Sequence, residues 1–258
     1  MSAAELDPLA IALAVAGSIV AGFINTLAGN GSAITLTVLT ELLGLPPLVA
    51  NGTNRVGALA ASATSTLTYL RAGRLDWRRG LLLLLPVGLG GVLGGVYATQ
   101  VSNAQFRSVF QWMLLALLVV VLVKPKRWLS DTAAHRRWPA ALLVAVGVAV
   151  GFYGGFIQMG FGPLFLAFAV LGAGFPLAEA NAYKVAVVAL YTPILLVAFA
   201  LSGQVHWLLG TVMAVGQAGA AYYTTRFAVG SPRVGQVAYV VLVVVVAAAA
   251  LRVVLTAQ

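Results

Sequence analysis

The chain has 258 residues, of which 61% are hydrophobic and only 8% charged, with a formal net charge of +9 and a mean hydropathy of +1.00. A soluble domain carries about 25% charged residues and needs a hydrated skin, so this composition excludes a soluble globule and points to an integral helical membrane protein. Cys is absent, which removes disulfides, thiolate chemistry and Cys-ligated metals; no metal and no cofactor are expected. The Lys and Arg residues gather beside apolar runs, as orientation signals do, and no nucleic-acid partner is expected.

Taken in chain order, the first segment carries Glu5 and Asp7 where a signal peptide carries Lys or Arg, so 8–29 is read as a retained helix. The break GNGS (29–32) follows, then a short apolar piece over 33–44 and the turn GLPP (44–47). A long helix is predicted over 47–70, then a basic loop and helices over 80–99 and 106–123. The second half repeats this order with a helix over 139–158, the break QMGFGP (158–163), a short piece over 163–172 and the turn GAGFP (172–176). Helices over 176–201, 207–228 and 234–255 complete it. The runs are continuously apolar rather than alternating, which argues against a β-barrel.

The halves also match in sequence. GRLDWRRG (73–80) pairs with GQVHWLLG (203–210), GFINTLAGNG (22–31) with GFYGGFIQMG (151–160), and the Ala-Asn pair at 50–51 recurs at 180–181. The chain is therefore divided into a first repeat, 1–124, a basic linker, 125–137, and a second repeat, 138–258. Loop 71–79 holds Arg71, Arg74, Arg78 and Arg79, and is expected in the cytoplasm with the linker. The equivalent loop 202–206 holds no Lys or Arg and is expected outside, which makes the repeats inverted. Arg226 and Arg233 then fall inside and both termini outside, with Arg252 dissenting. The short pieces either re-enter or cross as thin helices.

Helix 47–70 raises a question of charge. Arg55 lies eight residues past Pro47, roughly 12 Å into a core of about 30 Å. An isolated Arg there costs about 3 to more than 10 kcal/mol. Lys184, eight residues past Pro176, repeats the pattern. At a shift of 129 the two cations coincide; at 130 the Ala-Asn pairs coincide and the cations do not. Two deep cations, with the half-helix starts at Gly31 and Ser32 and at Gly160 and Gly162, favour a small anion at one midplane site. Asn30, Asn51, Thr53, Asn54, Gln158 and Asn181 add hydrogen-bonding groups, and an oxyanion suits them best. The competing reading is a pair of structural cations satisfied by backbone carbonyls. GLGGVLGG (88–95) is read as close helix packing. Glu179 and Glu41 are candidates to carry a coupling proton, against capping or interfacial exposure; His206 is read as interfacial.

These residues resemble the TauE/SafE family of bacterial sulfite and organosulfonate exporters. The likeness is carried by AGFINTLAGNGSAITLTVL (21–39), PPLVANGTNR (46–55), YLRAGRLDWRRGLLLLLPVGLGGVLGG (69–95) and GFYGGFIQMGFGPLF (151–165). It implies a permease with duplicated halves for sulfur oxyanions, sulfonates or small organic acids. Where the family has consecutive glycines, this chain reads Gly29-Asn30-Gly31-Ser32 and Met159-Gly160-Phe161-Gly162, so sulfite itself is not carried over.

The expected protein is all-α, with two inverted-topology repeats and Gly-broken or re-entrant helices, in the bacterial inner membrane. It is expected to be a secondary transporter, an exporter, with a small anionic substrate and the lipid bilayer as partners; homo-oligomerisation is left open. The alternatives are a passive anion channel, an intramembrane enzyme and a non-transporting assembly subunit. The enzyme reading lacks a nucleophile, an H-E-x-x-H or a paired Asp motif.

Overall fold

Apolar runs of helical length, punctuated by Gly and Pro, give a bundle of helices. The computed structural model describes residues 8–27, 29–110, 112 and 138–228. The linker 125–137, most of the helix expected over 106–123, the helix expected over 234–255, Arg233, Arg252 and both chain ends lie outside the described residues.

The first half comprises α1 (Pro8–Leu27), α2 (Gly31–Thr37), α3 (Pro47–Arg71) and α4 (Trp77–Ala98), with a further helical stretch over 103–110. The second comprises α5 (Ala140–Phe156), α6 (Phe161–Ala167), α7 (Leu177–Leu201) and α8 (Trp207–Ala228). Both short helices run on through one π-helical turn, Val38–Leu42 after α2 and Phe168–Gly172 after α6. They begin at Gly31 and Phe161, two residues earlier than expected, and α4 begins at Trp77 rather than 80.

The helix ends follow local chemistry. Pro47 starts α3 where its missing N–H costs nothing. Gly73 and Gly203 follow α3 and α7 with φ of +65° and +66°, the left-handed conformation that glycine adopts without a Cβ clash. Asp76 accepts from the N–H groups of Arg78 and Arg79 at 2.9 and 3.3 Å and caps α4. His206, its counterpart, caps α8 by accepting from Leu209 N–H through Nδ1 at 3.3 Å.

From the breaks onward, each element of the second half starts 130 positions after its counterpart: 31 and 161, 47 and 177, 77 and 207. The packing is reciprocal. α1 lies on α8 and α5 on α4, while α3 lies along α7. One apolar core joins α1, α2 and the start of α3 to α8; the other joins α5, α6 and α7 to α4. Among the described residues, each half therefore packs its core against a long helix of the other, α8 for the first and α4 for the second.

α4 and α5 approach closely because neither has side chains in the way. A Cβ on Gly90 or Gly94 would meet the carbonyls of Val148 or Phe152, and one on Gly151 or Gly155 those of Val87 or Gly91. On the outer side, α4 presents Leu82 and Leu85, each 66% exposed, with Leu89 and Leu93 continuing the stripe. An apolar stripe of that extent needs an apolar solvent. Among the described residues, α4 and α7 are long and apolar enough to cross a membrane.

α3 and α7 run antiparallel. Near the end of α3, Tyr69 accepts a hydrogen bond from Asn181, near the start of α7, at 3.0 Å. At the other end His206, just past α7, donates its backbone N–H to Thr53 Oγ1 at 2.9 Å.

Candidate functional site

The two breaks meet in the middle of the bundle. Gly162 N–H donates to Gly29 O at 3.1 Å, and Gly160 N–H to Asn30 Oδ1 at 2.7 Å. Asn30 and Gly160 are counterparts in the 130-residue register, so equivalent points of the two halves touch. Asn30 Nδ2 is buried without a partner.

A helix that stops inside a membrane leaves its last carbonyls without donors and gathers negative potential there. Lys184 answers this at the end of α1. Its ammonium donates to the carbonyls of Asn25 and Thr26, both at 3.2 Å, and to Asn181 Oδ1 at 2.6 Å. Asn181 Nδ2 also donates to Thr26 O at 3.1 Å. Arg55 does the same at the end of α5. Its Nη2 donates to Gly155 O at 2.5 Å and to Asn51 Oδ1 at 3.3 Å, and Asn51 Nδ2 donates to Phe156 O at 3.0 Å. Each cation, with an Asn one turn earlier on its helix, closes the broken helix of the opposite half. The carbonyl-satisfied reading of Arg55 and Lys184 is thus realised in geometry.

The register corrects one expected equivalence. With the helices 130 apart, Arg55 falls opposite Val185 and Lys184 opposite Asn54. The two cations still reach equivalent carbonyls, since 25 and 26 are the counterparts of 155 and 156. Long flexible stems absorb the rotation of about 100° that one residue brings.

The halves differ in what surrounds each cation. Lys184 lines a cavity with Gln158, Phe161, Ser62 and Ser65. Arg55 is fully buried away from that cavity, its guanidinium 5.6 Å from the Phe199 ring centroid, with Nε and Nη1 unpartnered. Gln158 holds φ of +63°, the one left-handed residue other than glycine among those described. Such strain costs about 1–3 kcal/mol and clusters where function over-determines the backbone. A relay fixes its amide: Thr35 Oγ1 donates to Asn54 Oδ1 at 2.5 Å, and Asn54 Nδ2 to Gln158 Oε1 at 3.1 Å. Among the described residues, none accepts a hydrogen bond from the Gln158 NH2 group.

Of the residues singled out from sequence, Lys184 and Gln158 come together on the cavity. Gly31, Ser32, Gly160 and Gly162 frame the crossing of the breaks beside Asn30. Asn51 and Asn181 serve the two clamps, and Asn54 serves the relay. Thr53 receives the His206 N–H at the far end of α3. Glu179 is not among the residues lining the cavity and pairs with Arg79 at 3.1 Å, with side chains 33% and 47% exposed. Ser62 and Ser65 escaped sequence reasoning; their i, i+3 spacing in ASATSTLTYL was the available signal. Among the described residues, no group of three or more His, Asp or Glu could hold a metal.

A cavity between two halves of a helical bundle, lined by a cation and several polar groups, suits a membrane transporter, and comparison with known proteins agrees. The family model for "Sulfite exporter TauE/SafE" matches residues 14–251, and the chain belongs to that family. It is 33% identical over 214 residues to a probable membrane transporter protein of Haemophilus influenzae, covering 82% of this chain and 81% of that one. It is 30% identical over 219 residues to the probable membrane transporter protein ORF9 of a Sinorhizobium species, covering 84% and 83%. Probable membrane transporter protein YfcA of Escherichia coli K12 is 30% identical over 216 residues, covering 82% and 78%. No solved structure matches the chain significantly. The protein is a membrane transporter and not an enzyme.

Proposed function

We propose that the chain is a secondary transporter of the bacterial inner membrane that exports a small anion: sulfite, an organosulfonate or a related organic acid. It works by alternating access around a site at mid-membrane depth, with one bundle rocking against the other. The observation that carries the reading is Lys184, a buried cation on a cavity whose other polar lining is amide and hydroxyl. Positive potential without an acid beside it favours an anion.

The repeats are inverted in this reading. Support comes from the antiparallel run of the counterpart helices α3 and α7, with basic loop 71–79 and loop 202–206 at opposite ends of them. The contact between Asn30 and Gly160 then marks the crossing about which the halves exchange roles. Lys184 and Gln158 face the substrate. The glycines of the two breaks let the backbones pass, and the Arg55 clamp holds α5 in place.

The test is flux of radiolabelled sulfite and methanesulfonate in vesicles containing the purified protein. A carrier gives saturable flux and counterflow, and Lys184→Ala abolishes both. Flux that never saturates would assign a pore, and full flux in Lys184→Ala would remove the cation from the mechanism.

A further inference from the structure

Two helices stop inside the bundle, and the carbonyl end of such a helix is where a mobile cation binds in many transporters. Half-helix C-terminal ends and unwound carbonyls hold the coupling ion there, because the helix dipole gathers negative potential at that end. In this chain the potential is met from within. At the end of α1, Asn25 O, Thr26 O and Asn181 Oδ1 stand 3.2, 3.2 and 2.6 Å from Lys184 Nζ. Three oxygens surround one ammonium and match its three hydrogens. The end of α5 is closed in the same manner, with Gly155 O and Asn51 Oδ1 accepting from Arg55 Nη2. A driving ion has to leave on one side of the membrane and bind again on the other. A cation tethered to α3 or α7 can do neither.

The acids offer no substitute site in the cavity. The described acids are Glu41, Asp76 and Glu179, and none lines it. Asp76 caps α4, and Glu179 pairs with Arg79. A free cation entering the cavity meets the Lys184 charge with no carboxylate to offset it, and like charges repel strongly where solvent is scarce.

The two closed ends differ in access. Lys184 lines the cavity together with Asn25 and Thr26, so shortening its side chain opens the oxygen cluster to that space. Arg55 is not among the lining residues and lies against Phe199. The cluster at the end of α1 is therefore the one that a free ion can probe. We propose that this cluster is a monovalent-cation site whose permanent occupant is the Lys184 ammonium, and that transport is for this reason uncoupled from sodium and potassium. The uncoupling rests on the anion-transport reading; the cation site does not.

Two measurements test it. The first is flux of radiolabelled methanesulfonate into vesicles containing the wild-type protein, with sodium, potassium or choline chloride as the bath salt. The half-saturation concentration changes by less than about twofold among the three salts, where a coupled ion shifts affinity by roughly fivefold or more. An imposed sodium gradient drives no uphill accumulation. The second is melting of purified Lys184→Ala in detergent. Ammonium chloride raises its melting temperature with the logarithm of concentration, as a ligand of the folded state does, and recovers roughly half or more of the deficit. Choline chloride at the same ionic strength does not, and the wild type responds to neither. Sodium-driven accumulation overturns the uncoupling, and the wild-type flux decides this even where Lys184→Ala does not fold. An equal response of Lys184→Ala to ammonium and choline, or none to either, overturns the cation site. Absence of flux in every salt takes down the anion-transport reading, and the melting curves then decide the cation site alone.

Discussion

Arg55 and Lys184 stand one residue out of step in the repeat, yet each closes the first helix of the opposite half, at Gly155 and at Asn25 and Thr26 respectively. The cations are thus tied first to folding: each neutralises a helix end that the membrane cannot hydrate. Of the two, Lys184 also lines the cavity.

Removing either cation strips partners from buried carbonyls. Each unsatisfied group costs about 1–3 kcal/mol, so Arg55→Ala and Lys184→Ala are expected to lower the melting temperature in detergent by several degrees. Arg55→Lys is expected to recover most of that loss, because an ammonium can still meet Gly155 O and Asn51. A melting curve for Arg55→Ala that overlays the wild type would show that the clamp contributes nothing.

Gln158 separates stability from function. Gly would relax φ of +63° and gain back about 1 kcal/mol of backbone strain, offset by the lost hydrogen bond from Asn54, worth about as much. Gln158→Gly is expected to melt within a few degrees of the wild type while vesicle flux falls at least about tenfold. Undiminished flux would leave the strained conformation without a transport role.

Glu179 and Arg79 form a half-exposed pair joining the two halves, and such pairs contribute about 0–1 kcal/mol. Glu179→Gln is expected to change flux by less than about threefold. Loss of all flux, with normal flux restored by Asp, would instead make this carboxylate the coupling group.

The chain has no native Cys, which makes topology directly testable. Single cysteines placed at Ala72 and Ser202, in the counterpart loops, are expected to react with membrane-impermeant reagents from opposite sides of intact cells, Ser202 from outside. Labelling of both from the same side would contradict the inverted arrangement.

Close packing through glycine can be probed at Gly155, where a Cβ would run into the Gly91 carbonyl. Gly155→Ala is expected to destabilise by about 1–3 kcal/mol through forced separation of α4 and α5. An unchanged melting temperature would mean that the interface can shift freely.

Composition and punctuation were enough for the helices. An apolar run bounded by Pro and Gly has few solutions in lipid, where every backbone group must be paired within its own helix, so α3, α4, α7 and α8 lie close to their expected spans. The internal matches showed the duplication but left its register between 129 and 130; the helix starts at 31 and 161, 47 and 177, and 77 and 207 settle it at 130. Side-chain partnership was another matter. Arg55 and Lys184 look alike in sequence, two cations eight residues past a proline, and nothing local says that one is sealed against Phe199 while the other borders a cavity. That difference is made by Ala61, Ser62 and Ser65, which line the cavity with Lys184, and by Phe199 beside the Arg55 guanidinium, residues remote in the chain from those cations. Buried charge could be recognised from sequence because its cost in lipid is so high; what satisfies it is a question of which helix ends arrive within 3 Å, and only the packed bundle answers it.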